Sequence, residues 1–135
     1  MGINGFSVKT QTGEDWLFNK KTYKADTEKL KKIISNLKAE KKWTDGELNS
    51  VILVNSSSYK VLLTVLHEGS EVITYQANDS ITLQIIEGSL LLHLKEEKIA
   101  LGEGEMITIN EKVRYSFDAV EDTAFLLTLV SEEIE

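Results

Sequence analysis

The sequence predicts a mainly β protein, an antiparallel sandwich or barrel carrying one N-terminal amphipathic helix. Three observations predict it. From Val51 onward the apolar residues come in short runs rich in Val, Ile, Leu, Thr and Tyr, the composition of strands. Those runs are punctuated at near-regular spacing by Gly69, Asn78-Asp79, Gly88, Gly102 and Gly104, residue types that turns need. Only one stretch, residues 27–42, repeats its apolar residues at helical spacing.

Size and composition bound the rest. A chain of 135 residues has room for one domain and little more. We expect residues 1–45 to form an arm and a helix packed on a β-barrel of residues 46–135, all within a single structural domain. With 41% hydrophobic and 27% charged residues, the composition is that of an ordinary globular protein. Cysteine is absent, which excludes disulfides, thiolate nucleophiles and zinc–sulfur sites and suits a reducing cytoplasm. The formal net charge of −7 argues against a nucleic-acid partner, because that affinity comes from Lys and Arg displacing counterions from phosphates. No apolar stretch approaches the roughly 20 residues of a membrane span, and no apolar leader follows a basic start. Met1-Gly2 opens like a myristoylation signal, but Phe6 stands where that signal wants Ser or Thr.

Residues 1–25 are polar and irregular, an arm with room for one short strand. Its aromatics Phe6, Trp16, Phe18 and Tyr23 need a surface, either the barrel exterior or a second subunit. The helix follows over 27–42. Asp26 can cap it by accepting from a first-turn amide. Leu30, Ile33, Ile34 and Leu37 form its apolar stripe, which is expected to lie on the barrel with the lysine face in water. Glu28 near the start and Lys38, Lys41 and Lys42 near the end suit the helix dipole. Gly46 lets the chain leave with positive φ. The expected strands are 51–54, 59–67, 71–75, 81–86, 90–95, 98–101, 106–109, 113–117 and 124–130. So many short antiparallel runs fit a sandwich or barrel.

The spacing within this β region resembles that of the cupins, a family of double-stranded β-helix (jelly-roll) barrels. Their first motif runs Gly, five residues, His, one, His, three or four, Glu, six, Gly. Here stand Gly69, Tyr75, Ala77, Ile81 and Gly88 at that spacing. Their second motif runs Gly, five residues, Pro, one, Gly, two, His, three, Asn. Here stand Gly104, Asn110, Lys112, Tyr115 and Ala119. The three glycines match, and the gap from Ser89 to Glu103 is of cupin length. Val61-Leu62-Leu63 and the final Phe125–Leu129 run also look like those of small stand-alone cupins.

The resemblance implies a metal held by three imidazoles and a carboxylate, yet the four matching positions hold Tyr75, Ala77, Ile81 and Tyr115. Ala77 and Ile81 carry no donor atom, and a neutral phenol is a poor ligand. Two histidines cannot supply a three-histidine site in one subunit. A triad of His67, His93 and one of Glu68, Glu71 or Glu87 stays arithmetically open. We expect His67 to be an exposed imidazole at a strand end, and His93 to lie half-exposed on an outer face or at a subunit contact.

No metal and no cofactor is therefore expected. With the matching positions directed inward, Tyr75, Ala77, Ile81, Leu83, Tyr115 and Phe117 would line an apolar pocket for a small apolar or aromatic ligand, or simply fill it. Glu68, Glu71, Glu103 and Glu105 sit on turns, where solvation is the expected fate, and Arg114 should face outward. The reading is a non-metal small-molecule-binding or structural module. A tyrosine-based metal-independent isomerase and a rebuilt metal site at His67 or His93 are the alternatives. The resemblance also implies a homodimer, with outward-facing Ile86 and Leu92 available to it.

Overall fold

The computed structural model describes residues 9–10 and 23–131. Two sheets face each other. The larger comprises β1 (Lys9–Thr10), β2 (Asn49–Asn55), β3 (Tyr59–Leu66), β10 (Thr123–Val130), β5 (Ser80–Glu87) and β8 (Met106–Ile109), adjacent in that order. The smaller comprises β4 (Glu71–Gln76), β9 (Val113–Ala119), β6 (Ser89–Leu94) and β7 (Glu97–Gly102), again in that order. Every pairing is antiparallel except that of β1 with β2. From β3 on, most successive strands cross to the opposite sheet, which winds the chain into a double-stranded β-helix closed by jelly-roll connections. The nine strands expected from residue 51 onward are β2 to β10.

The apolar interior between the sheets is built from alternate residues, as the two-residue period of a strand requires. Leu62 and Leu66, Ile81, Leu83 and Ile85, Leu90 and Leu92, Tyr115 and Phe117, and Phe125, Leu127 and Leu129 meet there. Leu92 is therefore a core residue with no accessible surface, not the outward-facing one expected; it shares its face with Leu90. Ile86 does point away from this interior, but is half-buried by neighbours on the other side of the larger sheet.

A second apolar layer explains those neighbours. Helix α1 (Thr27–Lys38) lays Ile33, Ile34 and Leu37 against Val51, Leu53, Leu63, Val65 and Ala124 on the outer face of β2, β3 and β10. These strands are thus covered on both faces, which is why Leu62 to Leu66 are all buried. Asp26 caps α1, accepting from the Lys29 amide at 2.9 Å.

The helix is shorter than its stripe suggested. It ends at Lys38, and a separate turn, α2 (Lys41–Thr44), carries Lys41 and Lys42. The cause is a buried side chain on β2. Asn49 donates to the Leu37 carbonyl at 3.0 Å and to the Glu40 carboxylate at 2.9 Å. Both contacts satisfy acceptors where the helix stops, so the chain can turn and bury Trp43. Gly46, with φ of 96°, follows α2 rather than α1.

Gly88 sets the corner between β5 and β6. Its φ is 92°, and a β-carbon there would collide with the Asp122 carbonyl and the Thr123 backbone. Gly69 and Gly104 share its positive φ, so all three glycines of the matched spacing occupy turns that favour glycine. In the N-terminal arm, Phe6, Trp16 and Phe18 lie outside the described residues.

Candidate functional site

The geometry inside the barrel follows from the pairing of β4 with β9. Residues directly opposite in an antiparallel pair project from the same face. Tyr115 and Phe117 on β9 face the interior, and their partners on β4 are Thr74 and Val72. Val72, Thr74 and Gln76 therefore point inward, while Ile73 and Tyr75 point to solvent. Tyr75 is 45% exposed, opposite outward Arg114. Ala77 follows the end of β4 and is exposed as well. The expectation that Tyr75 and Ala77 project into the barrel is thus corrected: β4 runs one residue out of phase with it.

Ile81 and Leu83 on β5, and Tyr115 and Phe117 on β9, do project inward and are buried. They meet a filled space. The Phe117 ring packs edge-on against Phe125 at 5.5 Å and lies 6.2 Å from Tyr115. Burial alone pushes the Tyr115 phenol well above its ordinary range, because the phenolate would lose its water. Tyr115 is thus a neutral group held among hydrocarbons.

One end of the interior is closed by a polar group that the sequence pattern did not reveal. Buried Gln76 donates to the carbonyls of Asn78 at 2.7 Å and Glu111 at 3.3 Å, and accepts from the Asn78 amide at 2.8 Å. Asn78 in turn accepts from the Ser131 hydroxyl at 2.9 Å. The amide ties the strand end to two loops and meets its own hydrogen-bonding needs locally. Nothing in Val72-Ile73-Thr74-Tyr75 distinguishes its two faces, so only the partner strand reveals that Gln76 is inside.

The histidines stand apart from the interior and from each other. The His67 ring, half-buried rather than exposed, stacks on Trp43 with centroids 3.4 Å apart, and its Nε2 lies 3.0 Å from the Trp43 carbonyl. His93 sits on the outer face of the smaller sheet, half-exposed, with Nε2 2.9 Å from Asp118 Oδ2. Among the described residues, no three His, Asp or Glu side chains are grouped as a metal ion needs. The positions that hold a metal in the resembling family place two side chains outside the barrel and leave Ile81 and a neutral phenol within it, so these residues do not fit a metal. Of the turn acids, Glu68, Glu71, Glu103 and Glu105 are all exposed, and Glu105 also accepts from the Gly102 amide at 2.8 Å.

Outside the barrel, an open groove of about 300 Å³ lies beside α1. Tyr23, Leu30, Leu53, Val54, Tyr59 and Leu126 are among its walls.

Comparison with known proteins bears on the fold alone. No family model and no curated protein matches the chain. Solved structures do. A cupin superfamily protein from Desulfitobacterium hafniense superposes with a TM-score of 0.61 at 14% identity, covering 64% of this chain and 80% of that one. A conserved protein of unknown function from Streptococcus pyogenes gives 0.59 at 21% identity, covering 65% and 77%. An ectoine synthase from P. lautus gives 0.57 at 16% identity, covering 62% and 63%.

Proposed function

From the premise that this chain has the cupin fold, we propose that it is a non-catalytic, metal-independent module that works as a structural, self-associating unit. The observation that carries the non-catalytic, metal-independent part of this reading is the state of the barrel interior; self-association is what the family resemblance implies. The space that would hold a metal and substrate is taken up by Phe117, Phe125, Leu83, Ile81 and Tyr115. Neither histidine enters it, so the geometry lends no support to a rebuilt metal site. A tyrosine-based isomerase finds no better support, because among the described residues the buried cluster around Tyr115 holds no His, Lys, Asp or Glu, and Tyr75 points away from it. The fold itself selects no activity. An acidic chain without cysteine favours a cytoplasmic setting and partners other than nucleic acid.

Elemental analysis of the protein purified without chelators tests this. The expected result is well below one transition-metal ion per subunit, unchanged after incubation with iron, manganese, nickel or zinc and desalting. One firmly retained ion per subunit overturns the reading.

A second reading, binding of a small apolar ligand, is favoured by the groove beside α1 rather than by the barrel. Its walls are aliphatic and phenolic, and its volume of about 300 Å³ falls at the small end of ligand sites. Titration with a fluorescent apolar probe, comparing the native chain with Leu126→Arg, would show saturable binding lost in the variant.

A further inference from the structure

The outer face of the smaller sheet carries a pattern that the barrel does not use. Its middle row, read across the strands, is Ile73, Ser116, His93 and Lys98. The row below is Glu71, Asp118, Leu91 and Ala100. Above the middle row, Tyr75 stands beside Arg114. Ile73 and Tyr75 are 58% and 45% exposed, two large apolar side chains on one face of an edge strand. Such edges are ordinarily blunted or covered.

The charges on this face are ordered. Arg114 marks one end of β9; Asp118, already 2.9 Å from His93 Nε2 on this face, and Glu71 beside it mark the other. Four residues of strand separate Arg114 from Asp118, about 13 Å. Among the described residues, neither Arg114 nor Glu71 forms an ion pair. A face positive at one end and negative at the other is complementary to itself once turned over.

We propose that this face binds a second copy of the chain about a two-fold axis running across the strands at the level of Ile73 and Ser116. That operation sets Ile73 against its symmetry mate once, on the axis, and Arg114 against Asp118 and Tyr75 against Glu71 twice each, as an isologous interface requires. Lys98 falls at the far edge, where the twist of two packed sheets draws their corners apart. The footprint in projection is about 400 Å², from four strands at roughly 4.8 Å and three alternate residues along each. Counted on both copies this is about 800 Å², below the range of stable specific interfaces and in that of weak, transient contacts, so the dimer is reversible and salt-sensitive.

This inference rests on the self-association proposed above and adds the surface that mediates it. Sedimentation equilibrium of the full chain, with circular dichroism to confirm retained β structure, tests it through three proteins. The native chain is expected to dimerise with a micromolar constant. Arg114→Asp sets like charges face to face and weakens it by about 100-fold or more. Adding Asp118→Arg to that variant reverses both signs and restores the dimer. A native chain monomeric up to about 1 mM, which leaves the face to another kind of partner, overturns both this inference and self-association. A dimer that persists in Arg114→Asp overturns this face alone. Failure of the double variant to recover overturns the Arg114–Asp118 pairing.

Discussion

Gly88 cannot accept a side chain without moving β10. Its positive φ disfavours any L-residue, and the obstacle is backbone, which yields less readily than a flexible side chain. Gly88→Ala should destabilise the fold by about 3 kcal/mol, measured by urea unfolding. Tyr115 makes a prediction of a different kind. A phenol ionises near pH 10 in an unfolded chain, and burial raises that value in the folded one. Above pH 10 the unfolded chain therefore loses a proton that the folded chain keeps. The stability contributed is whole below pH 10 and declines as pH rises toward the folded value. Unfolding at pH 9 and pH 11 should show this decline in the native chain and a smaller one in Tyr115→Phe. At this scale the sequence was partly readable. The spacing of Gly69, Gly88 and Gly104 identified backbone requirements, because glycine's conformational role is local. The inward placement of Tyr75 failed because it depends on which residue of β9 lies opposite, a non-local fact.

Among the elements, strands were easier to read than their orientation or than helix ends. Runs such as Ile81–Ile86 and Ala124–Val130 announce themselves through composition and flanking turns. β4 offers apolar residues on both faces, Val72 on one and Ile73 on the other, so its pattern fits either phase. The apolar stripe of α1 was evident, but its termination lies in Asn49, which belongs to a strand. Asn49→Ala removes the bonds donated to Leu37 and Glu40 and the one that Asn49 Oδ1 accepts from the buried Ser50 amide. It should cost about 2 kcal/mol. It should also redden the emission of Trp43, which α2 holds against His67, because the helix end loosens.

For the whole molecule, the filled interior is the decisive property. Phe125→Ala should cost about 3–5 kcal/mol by emptying part of the core. If the cavity persists, it is dry and apolar, and such cavities take up benzene or xenon. Xenon-dependent chemical shifts near Leu83 and Phe117 in the variant, and none in the native chain, would confirm that the barrel is occupied by its own side chains. The two-sided burial of β3 and β10 carries a related expectation. Their amides should exchange with deuterium more slowly than those of β4 and β7, the edge strands of the smaller sheet.

The apolar contact between α1 and the larger sheet has a practical consequence for anyone shortening this chain. Excising residues 46–135 as a minimal barrel would strip the cover from Val51, Leu53, Leu63 and Val65 at one stroke. The fragment would present a broad greasy wall of adjacent strands, and it should precipitate on expression more readily than the intact polypeptide. The helix is in this sense a built-in solubiliser.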